Sequence, residues 1–285
     1  MFRTSRVILS ILSTVAIIFF LNTFYHPEVE ISKDFTAMGT YLNITAKSQT
    51  PKQDIQAAYI RIKNIEKKVN RFDKNSDISI LNRAKGKKTI VSKDLVACVE
   101  LAKEVGRFTN GYFDITLSRD SERIIVDKEK SSITLPSSKT KINLDGIAKG
   151  YAVREAQLLL FKRGVKDGII NMGSSIAVLN APKVIGIRDP FKKETLIGTL
   201  EIGSSMAIST SGIYEQGLHI IDPKTGKHVD EIEGLTVLGD DAGFMDGLST
   251  GIVAMGFEKG FDFIVSKKIK AIIITKSGKV IRNLL

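Results

Sequence analysis

Residues 143–153 read NLDGIAKGYAV, a stretch that passes from an extended segment through a glycine into a helical pattern. The pattern predicts a strand ending near Gly146 and a helix over residues 149–163, closed by Gly164. Backbone N–H groups and the dipole at the start of such a helix favour a phosphate or carboxylate, and Lys149 would add a positive charge there. A tight turn that needs glycine only for packing accounts for the stretch equally well, so both interpretations stay open.

The segments on either side of this stretch mix helical and strand patterns without a regular alternation, which is typical of an α+β fold. Apolar residues at helical spacing predict helices over residues 52–70 and 93–106, the second with Ser92 as its N-cap, and another near 246–256. Short apolar or alternating runs predict strands. These runs are 32–46 with a break at Met38-Gly39-Thr40, 123–127, 132–135, 168–171, 175–179, 183–187, 196–202, 205–209 and 218–221, with a closing hairpin of 271–275 and 279–283.

Two oxygen-bearing side chains share one face of the predicted helix near residue 246. Asp246 and Thr250 are four residues apart, and both offer the oxygen ligands that Mg²⁺ prefers. The same spacing arises when an aspartate caps a helix and a threonine bonds back to the preceding turn, which is the commoner case. The spacing alone therefore does not establish a metal site.

Two further segments carry side chains suited to a ligand or to proton transfer. Thr210-Ser211-Gly212 is followed by HIIDPKTG at 219–226, in which a proline-glycine turn directly after His219 would hold an imidazole able to transfer protons near neutral pH. GYFDIT at 111–116 places an aromatic ring beside an acid and a hydroxyl, either to contact a nucleotide or to tuck a loop onto the core. A lone histidine is usually structural, so neither segment is decisive alone.

The N-terminus carries the clearest physical signal. Residues 7–27 contain no formal charge, and about 20 apolar residues span a bilayer core. Arg3 and Arg6 precede the run while Glu28 follows it, which orients the rest of the chain outside the cytoplasm. We expect an uncleaved anchor over residues 1–29 and a globular domain over 30–285, giving a single-pass inner-membrane protein with its domain on the periplasmic side. A cleaved signal peptide is the alternative, although no small-residue cleavage site follows the apolar run.

The composition limits the classes of partner and chemistry. The chain of 285 residues has a formal charge of +11, which suits anionic ligands or anionic lipid. It contains no Trp and no recognisable nucleic-acid motif, so we expect no nucleic-acid partner. Cys98 is the only cysteine, which excludes an internal disulfide, and its apolar neighbours favour a buried structural role.

Seven segments occur together in one order that is more specific than any of them alone. The chain resembles the FAD:protein FMN transferase family (the ApbE type), and the resemblance covers residues 35–257. The matching segments are MGT at 38–40, RFDKNSDISILN at 71–82, GYFDIT at 111–116, LDGIAKGYAV at 144–153, TSG at 210–212, HIIDPKTG at 219–226 and MDGLST at 245–250. The resemblance implies an α+β domain with a mixed sheet, a Mg²⁺-dependent reaction on FAD and a location outside the cytoplasm.

The resemblance also implies roles for individual residues. His219 corresponds to the catalytic base, and the metal ligands are the carbonyl of Gly146 with the side chains of Asp246 and Thr250. The positions implied to contact the flavin nucleotide are Met38, Phe72, Phe113, Asp114, Thr116, Asn143, Lys149, Thr210 and Ser211.

This chain departs from the family pattern at several of these positions. Phe72 replaces a tyrosine, which retains stacking but loses the phenol hydroxyl. Asn143 replaces an aspartate, for which Asp145 can compensate. Gly173-Ser174-Ser175 stands where the family has Gly-Gly-Asp, and the longer insertion often present between Thr116 and Asn143 is absent.

The activity implied is transfer of the FMN moiety of FAD onto a Thr or Ser hydroxyl of an acceptor protein, with release of AMP. The acceptor would be a membrane or extracytoplasmic redox protein. Two alternatives stay open: an FAD pyrophosphatase, in which water replaces the hydroxyl, and a membrane-tethered flavin-binding protein without activity.

Overall fold

The chain is described here by a computed structural model that covers residues 27–116, 119–192, 194–203, 205–212 and 220–284. Strands β1 to β13 are Val29–Ala37, Thr40–Ser48, Thr89–Ile90, Ile125–Asp127, Ser132–Thr134, Asp167–Met172, Ser175–Val178, Lys183–Arg188, Leu196–Ile202, Ala207–Gly212, Ile232–Gly239, Lys270–Thr275 and Val280–Asn283. Helices α1 to α6 are Pro51–Val69, Asp77–Arg83, Lys93–Phe108, Ala148–Lys162, Ala242–Ala254 and Phe257–Ser266, and a 3-10 turn lies at Ser121–Arg123.

An eight-stranded sheet in the order β1-β2-β6-β7-β10-β11-β12-β13 forms the centre of the fold. The α+β class is confirmed, but the expectation of a mixed sheet is wrong, since every neighbouring pair of described strands in this sheet is antiparallel. Three pairs are direct hairpins, the β8–β9 hairpin connects β7 to β10, and helical excursions return β6 beside β2 and β12 beside β11 in the opposite direction. Two consecutive strands would be parallel only if their connection crossed back to the end of the sheet at which the first strand began.

Three helices pack on one face of this sheet, and the third of them, α5, is buried on nearly all sides. Helix α1 begins at Pro51, which fits the first helical turn, and buries Ile55, Ile62 and Ile65 at helical spacing. Helices α1, α4 and α5 contact one another in that order, and they rest on strands β2, β7 and β10 respectively. The end of α1, the start of α4 and the middle of α5 all line one cavity with the end of β10.

The other face of the sheet is covered by the β8–β9 hairpin. Its inward side chains, including Ile185, Leu200 and Ile202, pack on Val178 and Ile208 of the central strands. Because both faces of the middle of the sheet are thereby buried, β7 contains no exposed residue and β11 has six buried residues in eight. Strands of that kind lack the apolar-polar alternation that marks a half-exposed strand.

The turn between β1 and β2 confirms the predicted break at residues 38–40. Met38 has φ +50° and Gly39 has φ +73°, the left-handed pair that a two-residue hairpin turn requires. Methionine is strained in this region, and its N–H donates to Glu66 Oε1 of α1 at 2.9 Å. Helix α1 therefore fixes the turn that carries Met38.

Most predicted elements are confirmed, and the strand predicted to lead into Gly146 is wrong. No strand leads into Gly146: residues 141–144 are irregular because the Asn82 amide bonds both the N–H and the C=O of Ile142, at 2.8 and 2.9 Å. Of the strand expected over 218–221, only Ile220 and Ile221 are described, and Ile221 forms just an isolated bridge with His228.

The predicted membrane anchor lies almost entirely outside the residues that the structure describes. None of their helices is long and apolar enough to cross a bilayer. The apolar run on which the anchor prediction rests falls within residues 1–26, outside the described part of the chain. The anchor stays a prediction.

Candidate active site

A cavity of about 710 Å³ opens between the β1–β2 turn, the start of α4, the end of β10 and the middle of α5. The predicted site residues that line it are Met38, Phe72, Phe113, Asp114, Asn143, Gly146, Lys149, Thr210, Ser211, Asp246 and Thr250. These residues come from segments separated by up to about 200 positions, so the fold gathers most of the set inferred from the motifs.

Two predicted site residues are not placed at the cavity surface. Thr116 is buried behind it, and its N–H donates to Asp114 Oδ1 at 2.7 Å. His219 lies within residues 213–219, outside the described part of the chain. Ile220, which follows it directly, lines the cavity, as does Pro223 of the same motif. The role of His219 as a base stays a prediction.

Asp246 lies at the buried end of the cavity and is only 3% exposed. Its Oδ2 accepts from the Gly150 N–H at 2.8 Å, and its Oδ1 accepts from the Ser209 hydroxyl at 3.0 Å. Asp241, not Asp246, is the N-cap of α5, so Asp246 does not belong to the simple capping pattern. The carboxylate thus accepts a hydrogen bond from an N–H in the first turn of α4, and the positive end of that helix stabilises its charge.

Gly150 is required for this contact. A Cβ at residue 150 would lie 2.2 Å from the Ala242 carbonyl oxygen and 2.4 Å from Asp246 Cβ. Real Cβ atoms do not approach backbone so closely, hence only glycine lets α4 and α5 pack at this point. The glycine that packing requires is therefore Gly150 inside the helix, not Gly146 at the turn to which the packing interpretation referred, and this packing brings Asp246 to the cavity.

Thr250 and Gly146 complete a group of oxygen atoms beside Asp246. Thr250 Oγ1 lies 3.3 Å from the Gly146 carbonyl oxygen, 3.1 Å from the Asp246 carbonyl oxygen and 3.2 Å from Ser211 Oγ. The threonine thus does bond back along its helix, but it also faces the cavity. We call Gly146, Gly150, Ser209, Asp246 and Thr250 the floor of the cavity.

The floor fits a hard divalent cation. All of its predicted ligands are oxygen atoms, and within the described ranges Asp246 has no basic side chain close enough to form an ion pair. A buried carboxylate in that situation lacks a counter-charge. The described chain contains no cluster of three or more His, Cys, Asp or Glu side chains, so this set depends on a single carboxylate.

Arg71, Phe72 and Asp145 form the mouth of the cavity, where side chains are exposed. Phe72 is 79% exposed, and the Arg71 guanidinium lies 4.2 Å from the centre of its ring. Arg71 Nε also donates to Asp145 Oδ2 at 2.9 Å. Asn143 shapes this segment, since its Oδ1 accepts from the Asp145 N–H at 2.9 Å.

The GYFDIT loop, predicted to contact a nucleotide, and the DPKTG turn, predicted to position His219, are linked by a hydrogen bond. In the GYFDIT loop Phe113 is buried, which agrees with a loop packed onto the core. Asp114 in the same loop accepts a hydrogen bond from the Ser121 hydroxyl at 2.6 Å. The DPKTG turn forms as predicted, with Gly226 at φ +73°. Arg119 Nε donates to the Pro223 carbonyl at 3.1 Å and so ties one loop to the other.

Several residues in or next to the cavity contact the site although no role was predicted for them from the sequence. Ser209 and Ser249 contact site residues from buried positions, Glu66 supports the Met38 turn, and Tyr112 lies under the Lys224 ammonium at 3.8 Å. These contacts join residues 28 to 112 positions apart, so no local pattern could have indicated them.

Cys98 takes no part in the chemistry. The thiol is fully buried in α3, and this burial, followed by the negative charges of Asp246 and Asp94, raises its pKa. The thiolate is therefore disfavoured, as expected for a small core residue.

Comparison with known proteins agrees with the motifs. The family model described as the ApbE family matches residues 38–119 and 118–273. A FAD:protein FMN transferase of Klebsiella pneumoniae is 31% identical over 178 residues, which are 59% of this chain and 55% of that protein. One from Vibrio cholerae is 25% identical over 297 residues, covering 88% of this chain and 89% of the relative. The chain covers only 32% of a Rhodobacter capsulatus relative, at 29% identity.

Solved structures show the same fold. The apbe protein of Thermotoga maritima superposes with a TM-score of 0.82 at 22% identity, covering 90% of this chain and 97% of the other. The flavin transferase ApbE of Vibrio cholerae gives 0.79 at 22% identity, covering 90% and 98%. With the family model matched across residues 38–273, this chain belongs to the ApbE family, as its motifs predicted.

Proposed function

We propose that this chain is a FAD:protein FMN transferase that depends on Mg²⁺ and moves the FMN half of FAD onto a Thr or Ser hydroxyl of an acceptor protein. The observation that supports the proposal is the cavity, whose lining includes most of the residues that the motifs implied for the nucleotide together with Gly146, Asp246 and Thr250. The names of the family's relatives support the same reaction.

The chemistry requires negative charge on a pyrophosphate to be balanced while a nucleophile is aligned. The residues that would hold Mg²⁺ are Gly146, Asp246 and Thr250, and the ion would supply charge balance to the pyrophosphate. Lys149 is half-buried at the cavity and, among the described residues, forms no ion pair, so its ammonium is available to the same phosphates.

The reaction then needs a base and a leaving group. His219 would accept the proton of the acceptor hydroxyl, whose oxygen attacks the phosphorus nearest riboflavin. The bond to the AMP phosphate breaks, AMP departs, and FMN stays on the acceptor as a phosphodiester. Phe72 and Met38 would hold the flavin side of the substrate at the mouth and at the β1–β2 turn.

The location outside the cytoplasm is part of the proposal and rests on the charge pattern around residues 7–27. We expect the full-length protein to fractionate with the inner membrane and its domain to be digested by protease added on the periplasmic side. A full-length protein that stays in the soluble fraction would contradict the anchor.

Asp246→Asn tests the transfer reaction most directly. The variant keeps the size of the side chain but removes the charge, so we expect a folded protein that no longer flavinylates candidate acceptors in the presence of FAD and Mg²⁺. Intact-mass spectrometry of the acceptor measures the gain of FMN. Asp240→Ala, a neighbouring exposed aspartate, is the matched control and should retain wild-type activity.

The same experiment separates the alternatives. Release of free FMN and AMP without a mass gain on any acceptor would establish the pyrophosphatase instead. Binding of FAD with neither product would establish a flavin-binding protein. Wild-type rates in Asp246→Asn, or turnover that survives chelation of divalent cations, would refute the proposed metal site.

A further inference from the structure

Two hydrogen bonds from different elements determine how the Asp246 carboxylate is oriented. The Gly150 N–H of α4 holds Oδ2, and the Ser209 hydroxyl of β10 holds Oδ1. With one bond on each oxygen, the carboxylate cannot rotate about its own axis without breaking one of them. The backbone donor is fixed by the helix, so Ser209 is the side-chain donor on which the orientation depends.

Ser209 is well suited to this task. It is fully buried, and the hydroxyls around it are buried or partly buried as well. Ser249 Oγ lies 3.4 Å from Ser209 Oγ and 2.7 Å from Ser211 Oγ, and Ser211 Oγ lies 3.2 Å from Thr250 Oγ1. A chain of hydroxyls therefore connects the two side chains of the floor that are the predicted metal ligands.

Ser175 provides an internal comparison. It lies directly opposite Ser209 in the β7–β10 pair and is equally buried. Unlike Ser209, its hydroxyl has no hydrogen-bond partner within the described chain. Two equally buried serines on paired strands thus differ in their hydrogen bonds: Ser209 bonds to Asp246 and Ser249, and Ser175 bonds to neither.

We infer that Ser209 is a positioning residue for the metal site, which orients the Asp246 carboxylate so that it can bind a divalent cation. The inference rests on the proposed function, because it assumes that Asp246 is a metal ligand. Groups that orient metal ligands by hydrogen bonds commonly contribute 10- to 100-fold in metal affinity. Nothing in the TSG motif itself points to Ser209, since the motif begins one residue later.

The test measures the affinity of full-length protein for Mn²⁺, used alone as a paramagnetic substitute for Mg²⁺, by electron paramagnetic resonance. We expect Ser209→Ala to lower the affinity about 10-fold or more. Ser209→Thr keeps the hydroxyl on a β-branched side chain suited to a strand and should restore most of it. Ser175→Ala should bind Mn²⁺ like the wild type. Thermal unfolding without metal confirms that each variant is folded at the temperature of the titration.

The outcomes distinguish this inference from the proposed function. If wild type binds Mn²⁺, Asp246→Asn does not, and Ser209→Ala binds like wild type, the inference is overturned and the metal site stands. Equal losses in Ser209→Ala and Ser175→Ala, or in Ser209→Ala and Ser209→Thr, would also overturn it, because the specific hydroxyl would then be irrelevant. If wild type itself binds no Mn²⁺, the proposed metal site fails and the inference falls with it.

Discussion

The floor and the mouth of the cavity are built by opposite means. At the floor, Asp246 is 3% exposed and is held by bonds from α4 and β10. At the mouth, Phe72 is 79% exposed, and the guanidinium of Arg71 lies 4.2 Å from the centre of its ring. The floor is thus complete before any ligand arrives, whereas the mouth presents surfaces that only a ligand would bury.

The polar interactions at the floor and at the mouth contribute different amounts to stability. A buried hydrogen bond to a charged group contributes about 1.5–3 kcal/mol, while an exposed ion pair contributes about 0–1 kcal/mol. The Arg71–Asp145 pair is of the second kind, since the two side chains are 41% and 56% exposed. Changes at the floor should therefore affect folding and chemistry together, and changes at the mouth should affect ligand affinity alone.

The largest effect is expected for Gly150→Ala, which breaks the floor. The added Cβ would overlap the backbone of Ala242, so α4 and α5 must separate, and we expect a loss of at least about 3 kcal/mol in the free energy of unfolding. Urea unfolding measures it. Gly198→Ala is the control, because its Cβ would meet only the flexible end of Arg282 at 3.4 Å. A loss below about 1 kcal/mol in Gly150→Ala would show that the helix contact is not tight.

The elements predicted correctly are those whose signals are local. Helix α3 begins after Ser92, whose hydroxyl accepts from the Leu95 N–H at 3.3 Å, and the capping residue is visible in the sequence. The β1–β2 and β12–β13 hairpins carry glycine in their turns. Each of these features depends on residues only a few positions apart.

The elements that were missed lack such signals. Strand β11 lies between β10 and β12 and is covered on both faces, so IEGLTVLG shows no alternation and has glycines at its third and eighth positions. Helix α2 has only seven residues. Helix α6 begins after Gly256 at φ +77°, with no side-chain cap to mark its start.

The motifs predicted most of the cavity lining as a set of residues, but they did not predict its geometry. The order of the motifs indicated Asp246, Thr250 and Gly146 together. It did not indicate that Asp246 bonds the Gly150 N–H, 96 positions away, or that Ser209 holds its other oxygen. Such contacts depend on how α4, α5 and β10 pack, and no periodicity encodes that.

A smaller effect is expected at the mouth for Phe72→Ala. A stacked ring contributes about 0.5–1.5 kcal/mol to binding, so its loss should raise the dissociation constant for FAD about 2- to 12-fold. Flavin fluorescence measures the dissociation constant. The free energy of unfolding should not change because the ring is exposed. Phe191→Ala, an exposed ring in the β8–β9 connection outside the cavity lining, should bind FAD normally. Unchanged affinity in Phe72→Ala would show that this ring does not contact the flavin.

The smallest effect is expected for Asp145→Asn, which tests whether a change at the mouth alters ligand affinity without altering stability. Asp145 holds Arg71 Nε at 2.9 Å, so removing its charge leaves the guanidinium available to an anionic ligand and lowers repulsion in the cavity. An exposed pair of this kind contributes at most about 1 kcal/mol, so FAD should bind up to about 5-fold more tightly, with little change in stability. The gain should shrink at high ionic strength, because exposed charges are screened.

The control is Asp230→Asn. It breaks the similarly exposed pair with Lys276 at a residue that does not line the cavity, so it should leave FAD affinity unchanged. Weaker binding in Asp145→Asn would reverse the interpretation: Asp145 would then contact the ligand itself, in place of the aspartate that the family carries where this chain has Asn143.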